Sequence, residues 1–241
     1  MEDHPRFFFV RLQKTASTSL MQRVRRHFPQ RVIYPNPTDG DVVNSVISIE
    51  RLIERWAARR DEIRFIHGHF PLCATELLGG GFTTLTILRH PLARTLSYLR
   101  HHRERTPSDA GLSLEAIYDD DFRFNGLIHN HMTKMLSLVP EEMDAGVLTR
   151  VSFDRERLER AKRRLEGVDA VGLQENFEEF CDELARRFQW DLGGPIRANR
   201  SSGGEAASPR LRDRILEDNA CDLDLYEHAC ELVASRATAG A

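Results

Sequence analysis

FFFVRLQKTASTSL, residues 7–20, is the stretch that decides the fold of this chain of 241 residues. Phe7–Val10 is an apolar run that can be buried on both faces, as expected of a central strand in a parallel sheet. Within Ser19–Phe28, apolar residues recur at roughly helical spacing, which predicts a helix. The stretch therefore predicts a strand, a turn over Gln13–Thr18 and a helix.

The turn carries a lysine and several hydroxyl residues. The first N–H groups of a helix have no intrahelical partner and lie at the positive end of the helix dipole, so they bind anions. Lys14 adds a full charge, and Thr15, Ser17, Thr18 and Ser19 add hydroxyl donors. The turn predicts a phosphate or sulfate site, with a simple N-capped helix beside a solvated lysine as the alternative.

The second anion signal lies at the end of a later strand. A Walker A loop would require glycines at the positions of Phe8 and Gln13, and neither is glycine. The strand predicted at Phe82–Arg89 ends in arginine, where a Mg²⁺-binding carboxylate would be expected in a nucleotide kinase. Arg89 and Ser97, two turns into the following helix, can face one phosphate. The alternative is an internal salt bridge and a serine that bonds its own helix.

These two segments match a known family. KTASTSL (14–20) resembles the 5′-phosphosulfate loop of sulfotransferases that use 3′-phosphoadenosine 5′-phosphosulfate (PAPS), and LRHPLARTLSYL (88–99) resembles their 3′-phosphate motif. FIHGHF (65–70) is similar to the segment that supplies the catalytic base in the heparan and uronyl 2-O-sulfotransferase branch. The resemblance implies a P-loop-like three-layer fold and a carbohydrate-modifying enzyme.

Two later segments continue the match in the family's order. NHMTKML (130–136) is similar to the family's Asn-x-Gln-Thr-Arg-x-Leu stretch, with Met132 and Lys134 substituting, and VGLQENFEEF (171–180) is similar to its late strand and helix. A role near the donor for Asn130, Thr133 and Lys134 rests on the resemblance alone. Their residue types by themselves predict an exposed helix face.

The resemblance implies a role for each matching residue. His69 would be the general base, His67 its neighbour that orients the acceptor, and Lys14 would stabilise the charge on the phosphate oxygens. The residues implied in donor binding are Lys14, Thr15, Ala16, Ser17, Thr18, Ser19, Arg89 and Ser97. Arg197 and Arg200 lie in a loop that would close over the 3′-phosphate, and an ordinary solvated loop is equally compatible with the sequence.

A zinc site is the alternative for the two histidines. His67 and His69 are two residues apart, so on a strand they share a face, and Cys73 follows nearby. No third ligand stands at a secure spacing, so the sequence favours a reaction that needs no metal.

Composition agrees with a single domain over residues 1–241. The chain is 41% hydrophobic and 29% charged, enough for a sizeable core, and its net charge of −3 argues against general nucleic-acid binding. No apolar run approaches membrane-spanning length, and Met1–Arg6 is too short and acidic to begin a secretory signal. Four scattered cysteines fit reduced thiols, so we expect a cytoplasmic enzyme.

The order of predicted elements alternates strand and helix. Such alternation predicts a parallel sheet flanked by helices, with ligands bound at the carboxyl ends of the strands. Lys14, His69 and Arg89 each follow a predicted strand, which indicates one shared site. Residues 104–121 are polar and predict a surface excursion, and Arg123–Leu138 predicts one helix.

The function predicted from these observations is sulfuryl transfer from PAPS to a hydroxyl, of a carbohydrate or another polyol. Two alternatives stay open at this point: a phosphoryl-transfer enzyme of related sheet topology, and a nucleotide-binding module without catalysis. The second would retain the Lys14 and Arg89 contacts and would not need His69.

Overall fold

The computed structural model describes residues 5–143, 146–195 and 206–239. Within them lie five β-strands: β1 (Arg6–Val10), β2 (Ile33–Tyr34), β3 (Phe65–Gly68), β4 (Phe82–Leu88) and β5 (Ala170–Leu173). The α-helices are α1 (Ser17–His27), α2 (Val42–Ser45), α3 (Ile49–Arg59), α4 (Ala74–Leu77), α5 (Pro91–Arg105), α6 (Leu114–Tyr118), α7 (Asp121–Arg123), α8 (His131–Ser137), α9 (Arg155–Glu166), α10 (Phe177–Phe188), α11 (Pro209–Asp218) and α12 (Ala220–Ala239). No helix in these ranges is both long enough and apolar enough to cross a membrane.

The five strands form one parallel sheet in the order β2-β3-β1-β4-β5. The predicted α/β fold with a central parallel sheet is confirmed, and the strand predicted from residues 7–10 lies at its centre. Val10 stands in register with Gly68 of β3 and with Thr86 of β4. The chain therefore leaves β1 between the ends of its two neighbours, at the edge of the sheet where ligands bind in such folds.

Alternate residues of β1 enter two separate cores. Phe7 and Phe9 pack with side chains of α1 and α10 on one face of the sheet. Phe8 and Val10 pack on the other face with side chains of α3, α8, α9 and α12. All four are at most 2% exposed, which explains why the strand is apolar without alternation.

A third apolar cluster joins α5, α6 and α11, and it corrects one expectation. Residues 104–121 were expected as a surface excursion, yet Leu114, Ile117 and Tyr118 of α6 are buried against α5. Their spacing of three and four residues forms one apolar helix face, and Ser113 caps the helix by accepting a hydrogen bond from the Ala116 N–H.

The single helix expected over Arg123–Leu138 is also corrected. A π-helical turn, Phe124–Ile128, is followed by Asn130 in the left-handed conformation with φ 43°, and α8 begins after it. The Asn130 side chain donates to the Asp218 carbonyl and accepts from the Asp222 N–H. Contacts with the C-terminal part of the chain therefore break the helix here.

Candidate functional site

The loop between β1 and α1 is shaped as an anion cradle. Lys14 and Ala16 both have left-handed backbone conformations, with φ values of 65° and 62°. Such conformations are unfavourable for residues other than glycine and cluster at functional sites. No side chain caps α1, and the N–H groups of Ser17, Thr18 and Ser19 donate no hydrogen bond within the described residues. These N–H groups are available to an anion.

The hydroxyl groups of the loop divide into two sets. The Thr15 hydroxyl is buried and donates to the Leu12 carbonyl at 3.0 Å, which holds the loop. Ser17 Oγ and Thr18 Oγ1 instead accept hydrogen bonds from the guanidinium of Arg11, at 3.2 and 3.0 Å. Ser19 makes no side-chain hydrogen bond within the part of the chain described. Among the four hydroxyls, Thr15 serves the loop itself.

The two predicted anion contacts lie side by side. Arg89 follows β4 directly, and its Nη1 donates to the Lys14 carbonyl at 3.0 Å. Burial, and after it the charge of Arg89, lowers the pKa of Lys14. Lys14 and Arg89 are therefore neighbours on the same side of the sheet, at the carboxyl ends of β1 and β4, and we call this region the cleft.

Beside Arg89 is a cavity of about 280 Å³ lined by Arg89, His90, Leu92, Ala93, Leu96, Ser97, Arg100 and Arg212. Its lining carries three guanidinium groups and no carboxylate. Arg100 and Arg212 have no hydrogen-bond or ion-pair partner within the described residues, and Arg100 Nε is buried. Uncompensated cations around a cavity of this size are suited to a multivalent anion.

His69 follows β3 and points its ring toward the cradle loop. Its Nδ1 lies 2.7 Å from the Arg11 carbonyl oxygen. A carbonyl only accepts hydrogen bonds, so Nδ1 carries the proton and Nε2 of the neutral ring is the free acceptor. Burial, and after it the charge of Arg11, lowers the pKa of His69 to about 4. At neutral pH the ring is an uncharged base.

His67 lies within β3, opposite Phe9 of β1, and is 2% exposed. Neither of its ring nitrogens has a hydrogen-bond partner among the residues that the structure describes, and burial lowers its pKa well below the ordinary range. Gly68 separates the two histidines, and a Cβ there would lie 2.2 Å from the Phe70 ring. Glycine is therefore required between them by packing.

For the zinc alternative, the described ranges contain no group of three or more histidine, cysteine or acidic side chains arranged to hold a metal ion. Cys73 is buried, and burial raises the pKa of its thiol to about 12. A thiol in that state is a poor metal ligand.

Arg197 and Arg200, which were expected to close over the 3′-phosphate, lie outside the described residues.

Among solved structures, the crystal structure of a sulfotransferase from Alicyclobacillus acidocaldarius matches 93% of this chain and 94% of its own, with a TM-score of 0.50 and 18% sequence identity. The two chains share one fold. No protein-family model and no curated protein matches the sequence. The likeness to the sulfotransferase therefore concerns architecture alone.

Three arginines of this cleft were missed in the sequence. Arg100 was detectable, since it stands three residues after Ser97 and shares its helix face. Arg11 lies between the predicted strand and the KTASTSL motif (14–20), and no pattern in the sequence marked it. Arg212 is contributed by α11, more than a hundred residues after α5, and nothing local marks it.

The expectation of an exposed helix face at Asn130, Thr133 and Lys134 is wrong. These residues are 3%, 0% and 1% exposed. Asp222 of α12 accepts hydrogen bonds from the Met132 N–H and from both the N–H and hydroxyl of Thr133, so it caps α8. The amine of Lys134 donates to the Gly126 carbonyl at 2.7 Å.

Arg94 belongs to the same buried polar cluster and not to the cavity. Although it stands one turn before Ser97, it is fully buried and donates to the carbonyls of Leu127 and Ile128 at 3.2 and 2.7 Å. We call Arg94, Asn130, Thr133, Lys134, Asn219 and Asp222 the polar core. It supports α5 and α8 behind the cleft.

Proposed function

We propose that this chain is a sulfotransferase that transfers the sulfuryl group of PAPS to an acceptor hydroxyl. The observation that carries the proposal is the hydrogen bond from Arg89 to the Lys14 carbonyl. It places the N-terminus of α1, which no side chain caps, next to a cavity with three arginines. PAPS carries anionic groups at the 3′ and 5′ positions of its ribose, and the loop and the cavity offer cations to both.

The 5′-phosphosulfate would lie on the β1–α1 loop. Support comes from the unpartnered N–H groups of Ser17, Thr18 and Ser19 and from the left-handed conformations at Lys14 and Ala16. Lys14 would stabilise the negative charge that grows on the bridging oxygen as the S–O bond breaks. Donors fixed in advance at such an oxygen are an effective source of rate enhancement.

The 3′-phosphate would lie in the cavity. Arg89 and Ser97 line it as the resemblance implies, and Arg100 and Arg212 add two further cations. A 3′-phosphate carries close to two negative charges at neutral pH, and bidentate guanidinium groups suit it. This pocket would distinguish PAPS from adenylates that lack the phosphate.

His69 would be the general base. Its Nε2 is the free acceptor, and the side chain is partly exposed, whereas His67 is buried beneath the loop. In the proposed reaction the acceptor oxygen attacks sulfur and gives its proton to Nε2. The bond from sulfur to the 5′-phosphate oxygen breaks, and its electron pair stays on that oxygen. The products are a sulfate ester and adenosine 3′,5′-bisphosphate.

The acceptor we propose is a hydroxyl of a carbohydrate or another polyol. Support for this part is the resemblance of residues 14–20 and 65–70 to the 2-O-sulfotransferase branch. A panel of sugars, glycans and phenols, incubated with labelled donor and followed by mass analysis of the products, tests it. Sulfation of phenols alone would overturn the carbohydrate assignment.

The donor assignment is tested by thermal unfolding with added nucleotides. We expect adenosine 3′,5′-bisphosphate to raise the melting temperature without Mg²⁺, and adenosine 5′-monophosphate at equal concentration to raise it much less. Stabilisation by ATP with Mg²⁺ and none by the bisphosphate would contradict the proposal and favour a phosphoryl-transfer enzyme.

The base is tested with His69→Asn. Asparagine keeps an N–H that can donate to the Arg11 carbonyl, and it removes the titratable nitrogen. We expect kcat to fall by about 10²–10⁴-fold, with bisphosphate binding retained. Undiminished transfer by this variant would remove His69 from the role of base.

A further inference from the structure

Arg11 contacts three parts of the site at once. Its N–H donates to the Gly68 carbonyl at the end of β3, at 3.0 Å. Its guanidinium donates to Ser17 Oγ and Thr18 Oγ1 on the first turn of α1. Its carbonyl oxygen lies 2.7 Å from Nδ1 of His69. One residue thus touches the sheet edge, the cradle loop and the candidate base.

The guanidinium of Arg11 has no counter-charge within the described residues. Its side-chain partners there are neutral hydroxyls, and the residue is partly buried. Burial, and after it the charge of Arg25, lowers its pKa. A partly buried cation with only neutral partners is unfavourable by itself and is relieved when an anion arrives.

Resting on the function proposed above, we propose that Arg11 is a positioning residue that ties donor binding to the base. Its guanidinium orients the loop hydroxyls toward the phosphosulfate, and its carbonyl fixes the ring of His69. Arg11 therefore fixes the position of the donor-binding loop relative to the His69 ring, which accepts the proton. The anion that would pair with the Arg11 guanidinium is the sulfuryl group or the 5′-phosphate of the donor.

A coupling of charge follows from this arrangement. The titratable or charged side chains that act on His69 or are acted on by it are Arg11 from the loop after β1, His67 from β3 and His131 from α8. Burial keeps both neighbouring histidines neutral, so Arg11 is the charge that opposes protonation of His69. An anionic donor beside Arg11 offsets that charge and raises the pKa of His69, which makes the ring a stronger base when the donor is bound.

The test compares Arg11→Met, Arg11→Lys and the control Arg25→Met. Arg25 is an exposed cation on α1 whose charge acts on Arg11 and His67, but in the described structure it makes no hydrogen bond to the loop hydroxyls or to His69, so it is a control for nearby charge without the contacts. The readouts are the NMR titration of His69 in the free protein, bisphosphate binding by thermal shift, and kcat for transfer.

For Arg11→Met, we expect the pKa of His69 to rise by about half to one pH unit and kcat to fall by about 10–100-fold. For Arg11→Lys, the charge remains, so the titration should stay near that of the wild type, while kcat falls because lysine cannot bond both hydroxyls. Arg25→Met should change neither the His69 titration nor kcat.

An unchanged His69 titration and kcat in Arg11→Met would overturn the role of Arg11. An equal fall of kcat in Arg25→Met would also overturn the role of Arg11, because the loss of any nearby positive charge would then explain the effect without the contacts of Arg11. Failure of the proposed function has a different signature: the wild type would neither bind the bisphosphate nor transfer sulfate, whereas the NMR titration of Arg11→Met would still report the link to His69.

Discussion

The polar core and the cavity beside Arg89 both contain arginine side chains, but the cations of the polar core are buried, whereas Arg100 is half-buried and Arg212 is exposed. In the polar core, Arg94 and Lys134 donate to main-chain carbonyls and lie near the carboxylate of Asp222. In the cavity, Arg100 and Arg212 have no partner within the described residues. Buried charges with partners stabilise the fold, whereas unpaired cations around a cavity are suited to an anionic ligand.

The strongest test of this comparison is Asp222→Ala. The substitution leaves the N–H groups of Met132 and Thr133 without their acceptor and removes the negative charge near Arg94 and Lys134. We expect the free energy of unfolding to fall by about 3–5 kcal/mol, as measured by urea denaturation. A loss below about 1 kcal/mol would show that the polar core is not structural.

A second test concerns two buried histidines, one near the β1–α1 loop and one beside the polar core. His67 lies beneath the cradle loop and His131 begins α8, and they are 2% and 1% exposed. Burial lowers the pKa of both well below 6.5, so in acid the unfolded chain binds protons that the folded chain does not. These two histidines therefore do not lower the free energy of unfolding above about pH 7. They lower it progressively as the pH falls through 6.5 toward the lower pKa values of the folded state.

We expect the wild type to be less stable at pH 5 than at pH 7 in urea unfolding. In His67→Asn, and separately in His131→Asn, this difference should shrink by about 1–2 kcal/mol. Comparing two pH values within each variant cancels any pH-independent cost of the substitution. A pH dependence equal to that of the wild type in both variants would contradict the burial argument.

The smallest expected effect is that of Arg212→Ala, with Arg210→Ala as the control on the same helix. Arg212 is exposed toward the cavity and has no partner within the described residues, so we expect a stability change within about 0.5 kcal/mol. Bisphosphate binding, measured by calorimetry, should weaken by about tenfold for Arg212→Ala and stay unchanged for Arg210→Ala. Equal weakening by both would mean that only the net charge matters.

Local sequence predicted the elements that hold the site because strand, turn and helix are each encoded by neighbouring residues. The apolar run at 7–10, the hydroxyl-rich turn and the Arg89–Ser97 pair all span short stretches. The left-handed backbone at Lys14 and Ala16 was not predictable in this way, since neither residue is glycine. The surrounding contacts impose it, including the hydrogen bonds of Thr15 to Leu12 and of Arg89 to Lys14.

The sequence by itself determined a parallel α/β sheet with a basic, hydroxyl-rich turn after its central strand, because the periodicity of apolar residues decides where the backbone is buried. Only the tertiary structure decided that Lys134 is buried while Arg212 has no partner among the described residues, and that Arg11 contacts both Ser17 and His69. A side chain's partners at distances of tens to a hundred residues along the chain follow from packing, and no local pattern records them. The same charged residue types are therefore paired and buried in the polar core, while Arg100 and Arg212 at the cavity have no partner in the described ranges.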